Sequence, residues 1–190
     1  MSILRKQKKL ISMSLLLIAL MFIQCCSQPE NLKWRTELEK DILLYGHRNW
    51  ILVVDAAYPY QGKQAIKTIA TGESQLNVLK EVLNAIGNAE HVSAEIFLDK
   101  EIDFVSEEEA PGINNYTEEL QKLLSGEKIN KILHEEMIEK VDDAANTFQI
   151  LVLKTEMTIP YTSVFLRLDC GYWNTDQEQN LRNKMKIMEE

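Results

Sequence analysis

Glycine and histidine are both scarce in this sequence, and neither falls into a pattern that assigns a chemistry. The seven glycines are scattered and form no GxGxxG or GxxxxGK phosphate loop, and no GxSxG nucleophile turn is present. Those absences argue against a nucleotide-binding protein and against a serine hydrolase of the α/β type. The three histidines stand too far apart for an HxxxH or HExxH motif, so we expect no metal site.

Cysteine is also rare, with three residues, two of which are neighbours near the amino terminus. The third, Cys170, lies far away in an apolar segment and has no convincing partner, which excludes a disulfide framework. We expect Cys170 to be a small buried core residue.

Basic residues are outnumbered, because 21 Lys and Arg stand against 29 Asp and Glu, for a formal net charge of −8 at pH 7. The first nine residues hold four of the basic residues and no acid, so the rest of the chain is more acidic still. Such a surface repels nucleic acid and anionic membrane faces, and it favours a neutral or small ligand.

The chain begins with the pattern of an exported protein. Residues 1–9 are basic, and residues 10–23 form an apolar run of 14 residues that only two serines interrupt. This pattern is typical of a secretory signal peptide, and the run is shorter than the ~20 residues that a membrane span needs. Cys25 and Cys26 follow, and the cysteines with the polar residues after them resemble the lipobox of bacterial lipoproteins, in which a cysteine is diacylated.

We therefore predict a signal peptide over residues 1–26, with Cys25 or Cys26 as the lipidated residue, and a short tether over residues 27–31. The mature protein would be exported and held on a membrane by this lipid anchor, facing the periplasm or the cell surface. Plain secretion is the alternative.

Helical and strand patterns alternate through the rest of the chain. Apolar residues at helical spacing predict helices, and continuous β-branched runs predict strands that are buried on both faces. Polar residues 60–73 and 101–112 are predicted to be loops. We expect one α/β domain over residues 32–173, built round a mostly buried sheet, and a polar helical tail over residues 174–190. The predicted helices of the domain cover residues 32–45, 74–86, 115–124 and 135–145, and the predicted strands cover residues 50–54, 91–98, 148–154 and 164–170.

The strand predicted at residues 50–54 has an acid–base side chain at each end. His47 lies in the polar turn before it, and Asp55 directly follows it. A strand rises about 3.3 Å per residue, so the two side chains are a strand's length apart and cannot pair directly. Either each belongs to a different site, or one site is assembled from several segments or subunits. Simpler roles are also open: a carbonyl hydrogen bond for His47, a turn cap for Asp55, a solvated helix start for His134 and aromatic packing for Tyr161.

A family resemblance becomes visible at residues 46–59, which read Gly-His-Arg-Asn-Trp-Ile-Leu-Val-Val-Asp-Ala-Ala-Tyr-Pro. This segment resembles the GH-x(3)-(apolar)-DA-x-x-P signature of the D-ribose pyranase and L-fucose mutarotase (RbsD/FucU) family. The similarity resumes at Lys-Thr-Glu, residues 154–156, and at Pro-Tyr-Thr-Ser, residues 160–163, and it covers most of residues 38–173. The resemblance implies an α/β fold assembled into ring-like pentamers or decamers, with sugar sites at the subunit interfaces.

The resemblance also implies an activity and a set of site residues. The activity is the interconversion of ring forms or anomers of a free monosaccharide of the ribose or fucose type, without cofactor or metal. His47 matches the catalytic histidine, and Asp55, His134 and Tyr161 match sugar-binding residues. Ser163 stands where asparagine is usual, which shortens or removes one contact to a sugar hydroxyl. We expect an exported sugar mutarotase or pyranase, and the alternative is a non-catalytic sugar-binding or scaffold lipoprotein of the same fold.

Overall fold

The computed structural model describes residues 30–188. The predicted signal peptide, the lipobox cysteines and residues 27–29 of the predicted tether lie outside these described residues. The first helix already begins at Glu30, two residues earlier than the sequence pattern predicts. Within the described residues, five α-helices, six β-strands and one 3₁₀-helix make a single α/β domain, as predicted.

The elements follow one another in an alternating order along the chain. They are α1 (Glu30–Leu44), β1 (Trp50–Val54), β2 (Ile66–Ala70), α2 (Gln75–Gly87), β3 (Val92–Asp99), a 3₁₀-helix (Lys100–Phe104), α3 (Ile113–Leu123), β4 (Ile129–Ile132), α4 (His134–Ala144), β5 (Ile150–Lys154), β6 (Val164–Cys170) and α5 (Thr175–Met188).

The strands form one six-stranded sheet in the order β2-β5-β1-β6-β3-β4. β1 is parallel to β5, β5 to β2 and β3 to β4, whereas β6 is antiparallel to both of its neighbours, β1 and β3. At one end of the strands, the carboxyl ends of β1 and β3 therefore lie beside the amino end of β6. At the opposite end, the amino end of β1 lies beside the carboxyl end of β6.

β1 is the centre of the core, because all five of its residues are buried. Ile51 and Val53 face a large apolar cluster formed with α1, α2 and α3, and Trp50, Leu52 and Val54 face a smaller cluster formed with α4. The predicted strand with two buried faces is thus confirmed. Each fully buried aliphatic side chain contributes about 1.5–3 kcal/mol to the free energy of folding relative to an exposed one. Burial of β1 therefore fixes the positions of the residues at both of its ends.

Several details of the sequence prediction are wrong, and the edges of the sheet explain two of them. β2 lies within residues 60–73, which were predicted to be a loop, and β4 lies in the polar stretch before His134. Both are outermost strands and each pairs with one neighbour only, so they carry polar residues that hide the strand pattern. Residues 101–112 contain the 3₁₀-helix rather than loop alone, held by the buried Ile102. Cys170 is half-buried at the end of β6 rather than fully buried.

The predicted helical tail is present as α5, which has no buried residue. Between residues 30 and 188, no helix combines the length and the apolar character needed to cross a membrane.

Candidate functional site

Two groups of polar side chains lie at opposite ends of the central strands, one at each end of β1. We call them the His47 cluster (His47 and Asp169) and the His134 cluster (Asp55, Asp99, His134, Tyr161 and Ser163). β1 has five residues and a rise of about 3.3 Å per residue, so a strand about 17 Å long separates the clusters within one chain. β6 contributes to both clusters, because its antiparallel course brings Ser163 to one end of β1 and Asp169 to the other.

The turn before β1 places His47 beside the end of β6. The backbone N–H of Arg48 donates a hydrogen bond to the carbonyl of Leu168, and the Asn49 side chain accepts one from the backbone N–H of Gly46. The Nδ1 atom of His47 then lies 2.5 Å from Oδ1 of Asp169, with both side chains about half exposed.

The carboxylate of Asp169 is held in its ionised form. Burial alone would raise the pKa of Asp169, but hydrogen bonds from the backbone N–H of Cys170 and from His47 outweigh burial and lower it. The imidazole of His47 thus contacts a negative charge rather than the carbonyl that a purely structural role would give it.

A surface pocket of about 620 Å³ opens beside His47. This volume is in the range of small-molecule sites. Two arginines lie over aromatic rings at its wall: the guanidinium of Arg48 is 6.0 Å from the ring centre of Phe148, and that of Arg167 is 5.9 Å from the ring centre of Phe97. The full lining is His47, Arg48, Trp50, Glu95, Phe97, Lys140, Asp143, Ala144, Phe148 and Arg167.

The His134 cluster begins with Asp99, the last residue of β3, whose side chain is fully buried. Its Oδ2 atom lies 3.0 Å from Nδ1 of His134. Burial raises the pKa of Asp99 to about 6; His134 opposes that shift, and the nearby carboxylates of Glu101 and Asp55 add to it. The second oxygen, Oδ1, has no hydrogen-bond partner within residues 30–188.

Asp55 and Ser163 lie at the same end of the central strands as Asp99. The register pairs Val53 of β1 and Leu98 of β3 with the same residue, Val164 of β6, so the residues next to these three positions are neighbours. Asp55 accepts a hydrogen bond of 3.2 Å from the Ser163 hydroxyl and one of 2.8 Å from the backbone N–H of Ala57. The second bond is the turn interaction that the sequence left open for Asp55.

Tyr161 completes this cluster. Its ring lies edge-on to the His134 ring, with 5.7 Å between ring centres, and about 39% of its surface is exposed. Tyr161 and Arg48 are the two non-glycine residues with positive φ within residues 30–188, at 58° and 76°. Backbone strain of this kind often accumulates at functional sites, and here one such residue lies at each cluster.

The structure thus brings together four of the five predicted site residues and leaves the fifth, His47, at the opposite end of β1. The four are Asp55, His134, Tyr161 and Ser163. Sequence reasoning missed Asp99, Glu101 and Asp169. Asp99 had a usable signal, because it follows an apolar strand just as Asp55 does. Asp169 had none, since its relation to His47 depends on the pairing of β6 with β1. Within residues 30–188, no group of three or more His, Cys, Asp or Glu side chains is arranged to hold a metal ion.

Known proteins share the α/β fold of this chain. Residues 35–170 match the profile of the RbsD / FucU transport protein family, and the chain belongs to that family. No curated protein sequence matches the chain significantly.

Two solved structures share the fold. One is RbsD of Bacillus subtilis complexed with D-ribose, with a TM-score of 0.50, 16% identity, and coverage of 70% of this chain and 91% of that one. The other is FucU from Bifidobacterium longum, with a TM-score of 0.50, 14% identity, and coverage of 70% and 94%. At these identities the likeness establishes the fold.

Proposed function

We propose that the protein is a mutarotase or pyranase that interconverts ring forms or anomers of a free monosaccharide of the ribose or fucose type. The observation that carries the proposal is that His47, in the segment that resembles the family's signature, pairs with Asp169 and lines a pocket of small-molecule size. The solved RbsD of Bacillus subtilis, which shares the fold, is in complex with D-ribose. A neutral sugar also suits a protein with a strong acidic excess.

The proposed chemistry is ring opening and closure by proton transfer. A base removes the proton of the anomeric hydroxyl while an acid protonates the ring oxygen, which opens the ring to the free carbonyl form. Closure on the other face, or by another hydroxyl, gives the second form. A histidine suits both roles because imidazole titrates near neutral pH, and positioned proton transfer contributes roughly 10²–10⁴-fold. His47 would carry the proton, and Asp169 would orient its ring.

The two clusters contribute to one sugar site only if they come from different subunits, because about 17 Å of β1 separates them in one chain. We propose a homo-oligomer, a pentamer or decamer as the resemblance implies, in which the His47 cluster of one subunit faces the His134 cluster of the next. Asp55, His134, Tyr161 and Ser163 would then bind the sugar hydroxyls.

Exchange spectroscopy by NMR tests the activity, by measuring the rate at which the anomers and ring forms of ribose, fucose and related sugars interconvert. We expect acceleration by the wild-type protein and its loss in His47→Ala. His91→Gln is the matched control, since the ring of His91 contacts the carbonyls of Ile42 and Tyr45 and belongs to neither cluster. No acceleration for any sugar, or full acceleration by His47→Ala, would refute the proposal.

Subunit mixing tests the shared site. At sugar concentrations well below KM, the His47→Ala and His134→Gln variants are each expected to show little activity alone and to recover activity when co-assembled. In a random mixture, about a quarter of the interfaces would contain both intact residues, so about a quarter of the wild-type rate is expected. A monomer by light scattering, or no recovery on mixing, would contradict the shared site.

A second candidate function, a non-catalytic sugar-binding or scaffold protein, is favoured by one observation. Ser163 is 1% exposed, and its hydroxyl is already bonded to Asp55, so it is a poor substitute for an asparagine that reaches a ligand. Calorimetry that shows sugar binding without any exchange would support this function, and measured exchange would exclude it.

We also propose that the protein is exported and lipid-anchored, on the strength of residues 1–26. Single and double Cys25→Ala and Cys26→Ala variants, followed by mass analysis and membrane fractionation, identify the lipidated residue. Retention of the unprocessed mass by the wild-type chain would overturn this proposal.

A further inference from the structure

The buried carboxylate of Asp99 destabilises the fold, and the position of its side chain suggests a functional role. A buried carboxylate is costly unless hydrogen bonds satisfy both oxygens. Asp99 is fully buried, yet only one of its oxygens has a partner among the described residues, and that partner is His134. The carboxylate is therefore placed for the imidazole and not for the stability of the core.

Two residues of one short segment, residues 99–103, contact His134. Asp99 contacts the ring at Nδ1, and both oxygens of Glu101 accept hydrogen bonds of 3.1 Å from the backbone N–H of His134. α4 needs this second contact, because its N-cap residue, Leu133, has no side-chain oxygen to cap the helix. The edge-on ring of Tyr161 packs against the imidazole as well.

We propose that Asp99 is a positioning residue that fixes the tautomer of His134, with the proton on Nδ1 and Nε2 free to accept a hydrogen bond from a sugar hydroxyl. The inference rests on the proposed function, since His134 is a sugar-binding residue only if the protein binds sugar. An ionised carboxylate can only accept, so the nitrogen that faces it must carry the proton, and in a neutral imidazole the other nitrogen then carries none. Within residues 30–188, no protein group bonds to Nε2.

The surrounding charges limit the pH range over which this tautomer holds. Four titratable groups surround Asp99: His134 at the start of α4, Glu101 on the 3₁₀-helix, Asp55 at the end of β1 and Tyr58 in the turn that follows β1. Burial and the two carboxylates favour protonation of Asp99, and the imidazole favours its ionisation. Once Asp99 is protonated at lower pH, its O–H donates to Nδ1, and Nε2 then carries the imidazole proton and becomes a donor. The ligand contact therefore changes from acceptor to donor as pH falls through about 6.

Nitrogen-15 NMR of the full-length protein, labelled at histidine, tests the tautomer directly. The chain has three histidines, so three pairs of ring signals are expected, and the His134→Gln variant assigns one pair. At pH 8 we expect Nδ1 of His134 to be protonated and Nε2 to be unprotonated. In Asp99→Leu, which has a similar size and no acceptor, we expect reversion to the Nε2–H form that imidazole favours in water.

The control variant is Asp103→Asn, because Asp103 lies on the same segment but pairs with the exposed Lys131. It should leave the His134 signals unchanged. A wild-type His134 protonated on Nε2 at pH 8, or an Asp99→Leu variant with the wild-type tautomer, overturns the inference. If Asp99→Leu does not fold, the wild-type spectrum alone decides.

Kinetics separate this inference from the proposed function. In a protein that accelerates exchange, Asp99→Leu should raise KM at least tenfold while kcat changes by less than about threefold, because a lost binding contact acts mainly on KM. An unchanged KM overturns the role of the pair in sugar binding. A wild-type protein without any exchange activity refutes the proposed function, and the tautomer then still reports whether Asp99 fixes His134.

Discussion

Replacing Asp99 by asparagine should stabilise the protein, and more so at higher pH. The carboxyl group has a pKa of 3.8 before folding and about 6 in the folded protein, chiefly because of burial. Below pH 3.8 the group is protonated in both states, and no penalty exists. As pH rises from there to about 6, the unfolded state ionises first and gains stability relative to the folded state. Above pH 6 the full penalty is present.

The size of the effect follows from that difference in pKa. One pKa unit corresponds to about 1.4 kcal/mol, so the ionisation of Asp99 destabilises the folded protein by about 3 kcal/mol at pH 8 and by less than about 1 kcal/mol at pH 4. Asparagine has a similar shape and cannot ionise. The advantage of Asp99→Asn over the wild type should therefore grow by about 2 kcal/mol or more between these two pH values.

Urea unfolding of both proteins at pH 4 and pH 8 measures this change, with the free energies extrapolated to water. Asp103→Asn is the matched control, and for this half-exposed aspartate we expect a change below about 1 kcal/mol at either pH. An Asp99→Asn advantage that is equal at both pH values would show that Asp99 is not a buried carboxyl that ionises at a cost.

Three further predictions concern the core, a close backbone contact and the His47 pair. Leu52→Ala, at a fully buried position of β1, should lower the free energy of unfolding by about 2–5 kcal/mol in the same assay, whereas the half-exposed Leu181→Ala on α5 should change it by less than about 0.5 kcal/mol. Gly171→Ala should cost about 1–3 kcal/mol, because its new Cβ would lie 2.5–2.8 Å from backbone atoms of residues 90 and 92, and Gly87→Ala, with open space at the end of α2, is its control. Asp169→Asn should slow anomer exchange at least tenfold with little change in unfolding free energy, since it removes the charge that orients His47 at an exposed site; an unchanged rate would exclude that role.

Much of the fold was predictable because the central strands are buried on both faces. The apolar runs in the sequence predict β1, β5 and β6, and apolar residues at helical spacing predict the helices. The two edge strands, β2 and β4, were not predicted, because each has one free side and tolerates polar residues.

By itself, the sequence determined the α/β class, the family signature and the separation of His47 from Asp55, because these depend on local pattern and on the length of one strand. Only the tertiary structure decided which distant residues meet in each of the two clusters. The antiparallel course of β6 brings Asp169 to His47 and Ser163 to Asp55, and the carboxyl end of β3 brings the buried Asp99 to His134. Those contacts join residues that are 35 to 122 positions apart, and only the order and direction of strands in the sheet can establish such pairs.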